Sequence, residues 1–182
     1  MTDRFFLCLP FTLAQECPFP KDWTNSKNFS NDAHDPGGET MCGITQREYD
    51  RYRKSCDLVC KDVRKLDPTE GMVIYRQGYW NPHCDSLPPG LDLQFFDASV
   101  NEGCLEAVRI LQYALHIDND GLWGPKTAAA AGSIHDPASV IRAFTTRRIT
   151  VYHQTKGFQY FGRDWLRRAK EIGDEALKMV TG

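Results

Sequence analysis

The sequence predicts a mainly α-helical fold with a small β-hairpin near the N-terminus. Three observations predict it. Apolar residues recur at helical spacing along most of the chain, several stretches open with N-capping residues, and the one glycine-rich segment, Asp35 to Thr45, carries short extended arms. With 182 residues the chain suffices for one well-cored domain or for one with a helical appendage. A 41% hydrophobic share, ten Phe and four Trp exclude a disordered chain. Net charge of −2 gives no general attraction to nucleic acid, so no nucleic-acid partner is expected.

Arg4 and the apolar run Phe5 to Ala14 are loosely similar to a short signal peptide. Pro10 interrupts the run, no A-x-A site follows, and it is too short to span a bilayer, so a core-forming helix over 4–16 is expected. Phe5, Phe6, Leu9, Leu13 and Ala14 fit one face, Pro10 restarts the helix at a first-turn position, and Glu16 ends it. From Cys17 to Asn31 the Pro-, Asn- and Ser-rich sequence reads as a loop, whose Phe19, Trp23 and Phe29 either pack it down or stack on a ligand ring.

Thr45-Gln46-Arg47-Glu48 is a capping box opening a second helix. Asp67-Pro68-Thr69-Glu70 opens a third, strongly apolar through Met72, Ile74, Tyr75 and Trp80, which prolines 82, 88 and 89 bring to an end. Leu91 to Asn101 suits a buried helix with Asp97 and Asn101 on one face, either bordering a cleft or bonding helix to helix. Gly103 breaks it before another amphipathic helix, and Gly124-Pro125, Asp136-Pro137 and Phe158 open the remaining ones. Arg147, Arg148, Arg163, Arg167, Arg168 and Lys170 read as a solvated face. Asp118-Asn119-Asp120-Gly121 begins like a calcium loop, but Ala129 stands where its closing Glu belongs.

Seven cysteines, an odd number at scattered spacing, point to reduced thiols rather than a disulfide scaffold. Cys56, Cys60, His83 and Cys84 offer a zinc reading, against which stands the absence of paired C-x-x-C knuckles. No metal and no cofactor are expected.

The chemistry concentrates at Glu16 and at the run DPGGET, which joins Asp35 and Thr40 across a Pro-Gly-Gly turn. Two carboxyl groups and a hydroxyl suit glycosidic hydrolysis, in which one carboxyl protonates the leaving oxygen and the other acts as a carboxylate beside a positioned water.

The string from Asn31 to Thr45, NDAHDPGGETMCGIT, follows a helix ending in Glu and precedes a helical part carrying DGLWGPKT. It resembles glycoside hydrolase family 108, the N-acetylmuramidases of bacteria and phages. The resemblance implies a lysozyme-like helical fold, with a muramidase region over 1–90 and a region similar to a peptidoglycan-binding domain over 91–182, packed as one compact body. It implies Glu16 as the acid, Asp35 as the ionised carboxylate and Thr40 as a holder of water, an order also found in the lysozymes of tailed coliphages. Most members read Glu-Gly-Gly-Tyr shortly before the Asp-Pro-Gly-Gly turn. Here Cys17 follows Glu16 and the intervening loop is longer, which leaves Asp22, Asp32 and Glu39 as alternative acids.

Asp97, Asn101 and Trp23 are the substrate-binding candidates. The implied substrate is the glycan strand of peptidoglycan, met by a monomer without stable membrane association. Synthesis in the bacterial cytoplasm and action on the wall in the periplasm are expected, with a separate holin-type partner giving access. The implied activity is cleavage of the β-1,4 bond between N-acetylmuramic acid and N-acetylglucosamine, in the role of a phage or prophage endolysin. A catalytically silent peptidoglycan-binding protein, a lytic transglycosylase and a chitinase are the alternatives.

Overall fold

The computed structural model describes residues 3–31 and 38–181. It is mainly helical with a three-stranded antiparallel sheet, as the sequence predicts. The chain divides into two compact units, one from Phe5 to Gly78 and one from Tyr79 onward that also includes Arg4.

The first unit opens with α1, Arg4–Glu16, which buries Phe5, Cys8, Leu9, Thr12 and Leu13. These positions recur every three to four residues, and Glu16 is the next step of the same stripe. The helix runs unbroken through Pro10 instead of restarting there. Proline at this place removes the hydrogen bond to the Phe6 carbonyl. Phe6 and Pro10 are both exposed, so water can take that carbonyl.

The sheet consists of β1 (Phe29–Ser30), β2 (Thr40–Met41) and β3 (Ile44–Thr45), in that order. Phe29 pairs with Met41 and Ser30 with Thr40, and on the other side Thr40 pairs with Thr45 and Met41 with Ile44. The tight hairpin lies between β2 and β3, where Cys42 at φ 48° and Gly43 at φ 75° form a two-residue connection. Positive φ at both central residues is the signature of a type I′ turn, whose twist matches that of the strands.

Helix α2 (Gln46–Ser55) begins with the predicted capping box. Glu48 N–H donates to the Thr45 hydroxyl, and Thr45 N–H donates back to the Glu48 carboxylate. Helix α3 (Pro68–Tyr75) begins under the Asp67 carboxylate and passes into a π-helical turn over Arg76–Trp80.

The second unit contains α4 (Asn81–Cys84), α5 (Leu91–Asn101), α6 (Cys104–Ala114), α7 (Pro125–Gly132), α8 (Pro137–Gln154) and α9 (Phe158–Thr181). Its centre is α5, which packs against α6, α8 and α9 and buries every residue from Leu91 to Ser99. A helix buried all round must satisfy its polar groups inside. Asp92 does so with Arg4 at 2.6 Å, and Gln94 donates to the Thr145 hydroxyl at 2.6 Å. Asp97 receives Arg168 at 2.9 Å and Arg148 at 2.7 Å. Arg148 and Arg168 are therefore interior residues and depart from the solvated face expected of that basic run; Arg167 stays exposed, in an ion pair with Glu171.

Candidate active site

Glu16 projects from the last turn of α1 onto the hairpin turn. A Cβ placed on Gly43 would lie 2.5 Å from Glu16 Oε2, 3.0 Å from its Cδ and 2.8 Å from the Tyr75 hydroxyl. Only glycine fits there, and only glycine takes the backbone angle without strain. The carboxylate and the phenol thus share one face of Gly43. Tyr75 also donates its hydroxyl proton to the Cys42 carbonyl at 2.7 Å, which fixes the turn from the side of α3.

Thr40 sits on β2 just before that turn, half-buried between Ser30 and Thr45 on the neighbouring strands. Asp35 lies outside the described residues, as does Asp32. Among the other alternative acids, Glu39 is on the surface in a 2.8 Å ion pair with Arg64. Asp22 accepts from the hydroxyl and N–H of Thr24 and from the Asn25 side chain, and the Thr24 hydroxyl foremost holds its carboxyl below the usual range. Both have a local structural use: Asp22 ties its own loop, and Glu39 pairs with a cation.

Three binding candidates fare unequally. Asp97 is expected as a substrate contact but is 0% exposed and engaged by two guanidinium groups. Burial pushes its carboxyl up, yet Arg168 and Arg148 outweigh that and hold it below the usual carboxylate range. Its geometry is that of the helix-to-helix alternative. Trp23 is also buried, edge-on to Tyr75 at a centroid distance of 5.9 Å, so the packing alternative describes it rather than an open stacking platform. Asn101 is half-buried, accepts from the Tyr152 hydroxyl at 2.6 Å, and borders a cavity of about 340 Å³ with Glu106, Thr155 and Trp165.

Several organising residues carry weak sequence signals. Asn28, 4% exposed, donates to the carbonyls of Phe19 and Asp22 and accepts from Phe19 N–H, so it ties the 17–31 loop together. Its own carbonyl accepts from Cys42 N–H, joining that loop to the hairpin turn. Cys17 and Cys42 are buried thiols, Cys17 donating to the Leu13 carbonyl at 3.5 Å and Cys42 to the Trp23 carbonyl at 3.7 Å; their mutual influence lowers the Cys17 thiol and, together with burial, pushes the Cys42 thiol up. Gly43 is the one residue here with a readable signal, a glycine between two short apolar arms.

Cys56 and Cys60 are exposed thiols, Cys84 is buried, and His83 stacks on Trp123 at 4.1 Å. Among the described residues no group of three or more His, Cys, Asp or Glu side chains is arranged to hold a metal ion. No helix among them is long and apolar enough to cross a membrane.

Residues 23–103 match the family model for glycosyl hydrolase 108, a span that begins after Glu16 and includes Thr40, Gly43 and Tyr75. Among solved structures the chain is similar to Brucella abortus SagA, with 27% sequence identity and a TM-score of 0.81 over 97% of this chain and 95% of that one. No curated protein matches. The fold is accordingly lysozyme-like, and the match over residues 23–103 marks the chain as a glycoside hydrolase.

Proposed function

We propose that the protein is a peptidoglycan hydrolase, an N-acetylmuramidase that cuts the β-1,4 bond between N-acetylmuramic acid and N-acetylglucosamine. The observation that carries this reading is the Glu16 carboxylate set against Gly43, next to the strand that bears Thr40, in a chain whose residues 23–103 match the glycosyl hydrolase 108 family model. Glu16 gives a proton to the glycosidic oxygen as the bond to the sugar breaks. Asp35 stays ionised and either activates a water from the opposite face or stabilises the oxocarbenium-like transition state, and Thr40 holds that water.

Residues 91–182 serve in this reading to hold the glycan strand, with Asn101 at the rim of its cavity as the contact. The role is that of a phage or prophage endolysin, acting as a monomer after a separate holin-type protein opens the way from the cytoplasm to the wall. Clearing of outer-membrane-permeabilised bacteria by the purified protein tests the activity. Mass spectrometry of the products tests the bond: reducing muropeptides are expected. Products made only of 1,6-anhydro sugars would mean a lytic transglycosylase, and binding without clearing a silent wall-binding protein.

A further inference from the structure

Helix α2 carries three cations on one face. Arg47, Arg51 and Lys54 stand at i, i+4 and i+7, all three are exposed, and with Gln46 and Asp50 they line an open recess of about 570 Å³. Like charges stacked at this spacing weaken a helix, and Arg47 in the first turn also opposes the helix dipole. Arg53 and Arg64, in the same unit, are neutralised by Glu70 at 2.6 Å and Glu39 at 2.8 Å. Arg47, Arg51 and Lys54 make no ion pair among the described residues. Asp50, the one carboxylate among the lining residues, accepts from the Gln46 side-chain amide at 2.8 Å. Three cations against one carboxylate leave the recess with a surplus of positive charge for which the fold has no use.

The helix leaves the sheet at the candidate active site. Its cap, Thr45, pairs with Thr40, and Arg47 follows Gly43 by four residues, a stretch that spans at most about 14 Å. A glycan strand lying at Glu16 and Thr40 therefore has its attached groups within reach of the start of α2. In peptidoglycan those groups are short peptides with free carboxylates, the charge that the recess lacks. Guanidinium forks match carboxylates in shape as well as sign. We propose that the face of α2 formed by Arg47, Arg51 and Lys54 docks the peptide carboxylates of the wall polymer and so holds the strand beside the candidate active site. The inference rests on the peptidoglycan hydrolase reading above, and the experiment separates the two.

Arg47→Gln/Arg51→Gln/Lys54→Gln removes the charges at exposed positions and keeps good helix formers, so the melting temperature should not fall. Sedimentation with insoluble peptidoglycan is the readout. The triple variant should bind about tenfold more weakly, the size of three solvated ion pairs, and about 0.5 M salt should bring the wild type close to the variant. The same peptidoglycan with its carboxyl groups converted to amides should bind both proteins alike. In wall digestion the variant should show a KM raised by a similar factor, with kcat within about twofold. Arg51→Glu, which pairs with Arg47 and Lys54 inside the helix, should lose binding to a similar extent and serves should the triple variant fail to fold. Equal binding of wild type and variant to untreated peptidoglycan, or none by either, overturns the docking face. An equal loss on the amidated polymer overturns it too, since the face would then meet something other than carboxylates. A wild type that binds through this face but cuts nothing overturns the hydrolase reading and leaves the docking face standing.

Discussion

Glu16 and Asp97 are both carboxylates on the inner stripe of a helix, and the chain uses them in opposite ways. Asp97, in the Tyr79-onward unit, is 0% exposed and has a guanidinium on each side, Arg148 from α8 and Arg168 from α9. A buried charge held so tightly has neither a free proton nor an open face, and its function is to join α5 to α8 and α9. Glu16, in the Phe5–Gly78 unit, is half-buried and faces a glycine, a phenol oxygen and a turn. The space over Gly43 gives its carboxyl an edge that chemistry can use. Burial alone does not mark an active carboxyl; what it is buried against decides between framework and acid.

The contrast is broken most forcefully at Asp97. Asp97→Ala takes from two buried guanidinium groups the carboxylate they share, although Arg148 keeps Glu102 at 2.8 Å, and is expected to cost about 3–5 kcal/mol of stability in chemical denaturation, with activity lost only as the protein unfolds. An effect under about 1 kcal/mol would mean that the network is not structural. The same residue predicts a pH effect. Its folded carboxyl lies below the ordinary value, so its contribution is present above the unfolded pKa of about 3.9 and is lost as pH falls through and below that value. Asp97→Asn should flatten that part of the stability–pH curve.

Gly43→Ala probes the other carboxylate. The added methyl meets Glu16 Oε2 and the Tyr75 hydroxyl at a φ of +75°, so about 1 kcal/mol of stability and tenfold or more of activity should go, through displacement of the acid. Full activity would show that Glu16 need not stand where it does. Thr40→Ala should lose roughly fivefold in kcat, the value of one hydrogen bond to a water, with an unchanged melting temperature. Glu39→Gln breaks only the surface pair with Arg64 and should alter stability by less than about 1 kcal/mol and activity by less than about twofold. A large loss of activity there would move the acid to Glu39.

What was legible in the sequence follows the range of the interactions. The Thr45 capping box and the Asp67 and Asp136 caps are settled within three residues by backbone hydrogen bonding, and the helices begin where those residues stand. Glu16 as the end of α1 was readable from the helical spacing of Phe5, Leu9 and Leu13, which is likewise local. The fate of Asp97 was not, because its partners are 51 and 71 residues further along the chain and an inward arginine on an amphipathic helix reads like an outward one. Tyr75 reads as one more apolar residue of α3 until Cys42 and Gly43 are brought beside its hydroxyl. The hairpin expected around the Pro-Gly-Gly run corresponds to β1 and β2, which pair antiparallel on either side of it in sequence; the second turn, type I′ at Cys42-Gly43, was not readable because a cysteine stands where Asn or Asp would have signalled it.

The central claim is that Glu16 is the acid of a muramidase, and mass spectrometry of muropeptides from walls digested by the wild type and by Glu16→Gln tests it most directly. The wild type should release reducing disaccharide peptides ending in N-acetylmuramic acid. Glu16→Gln, with an unchanged melting temperature, should release them at least about a hundredfold more slowly. Release at near the wild-type rate by the folded variant would contradict the account.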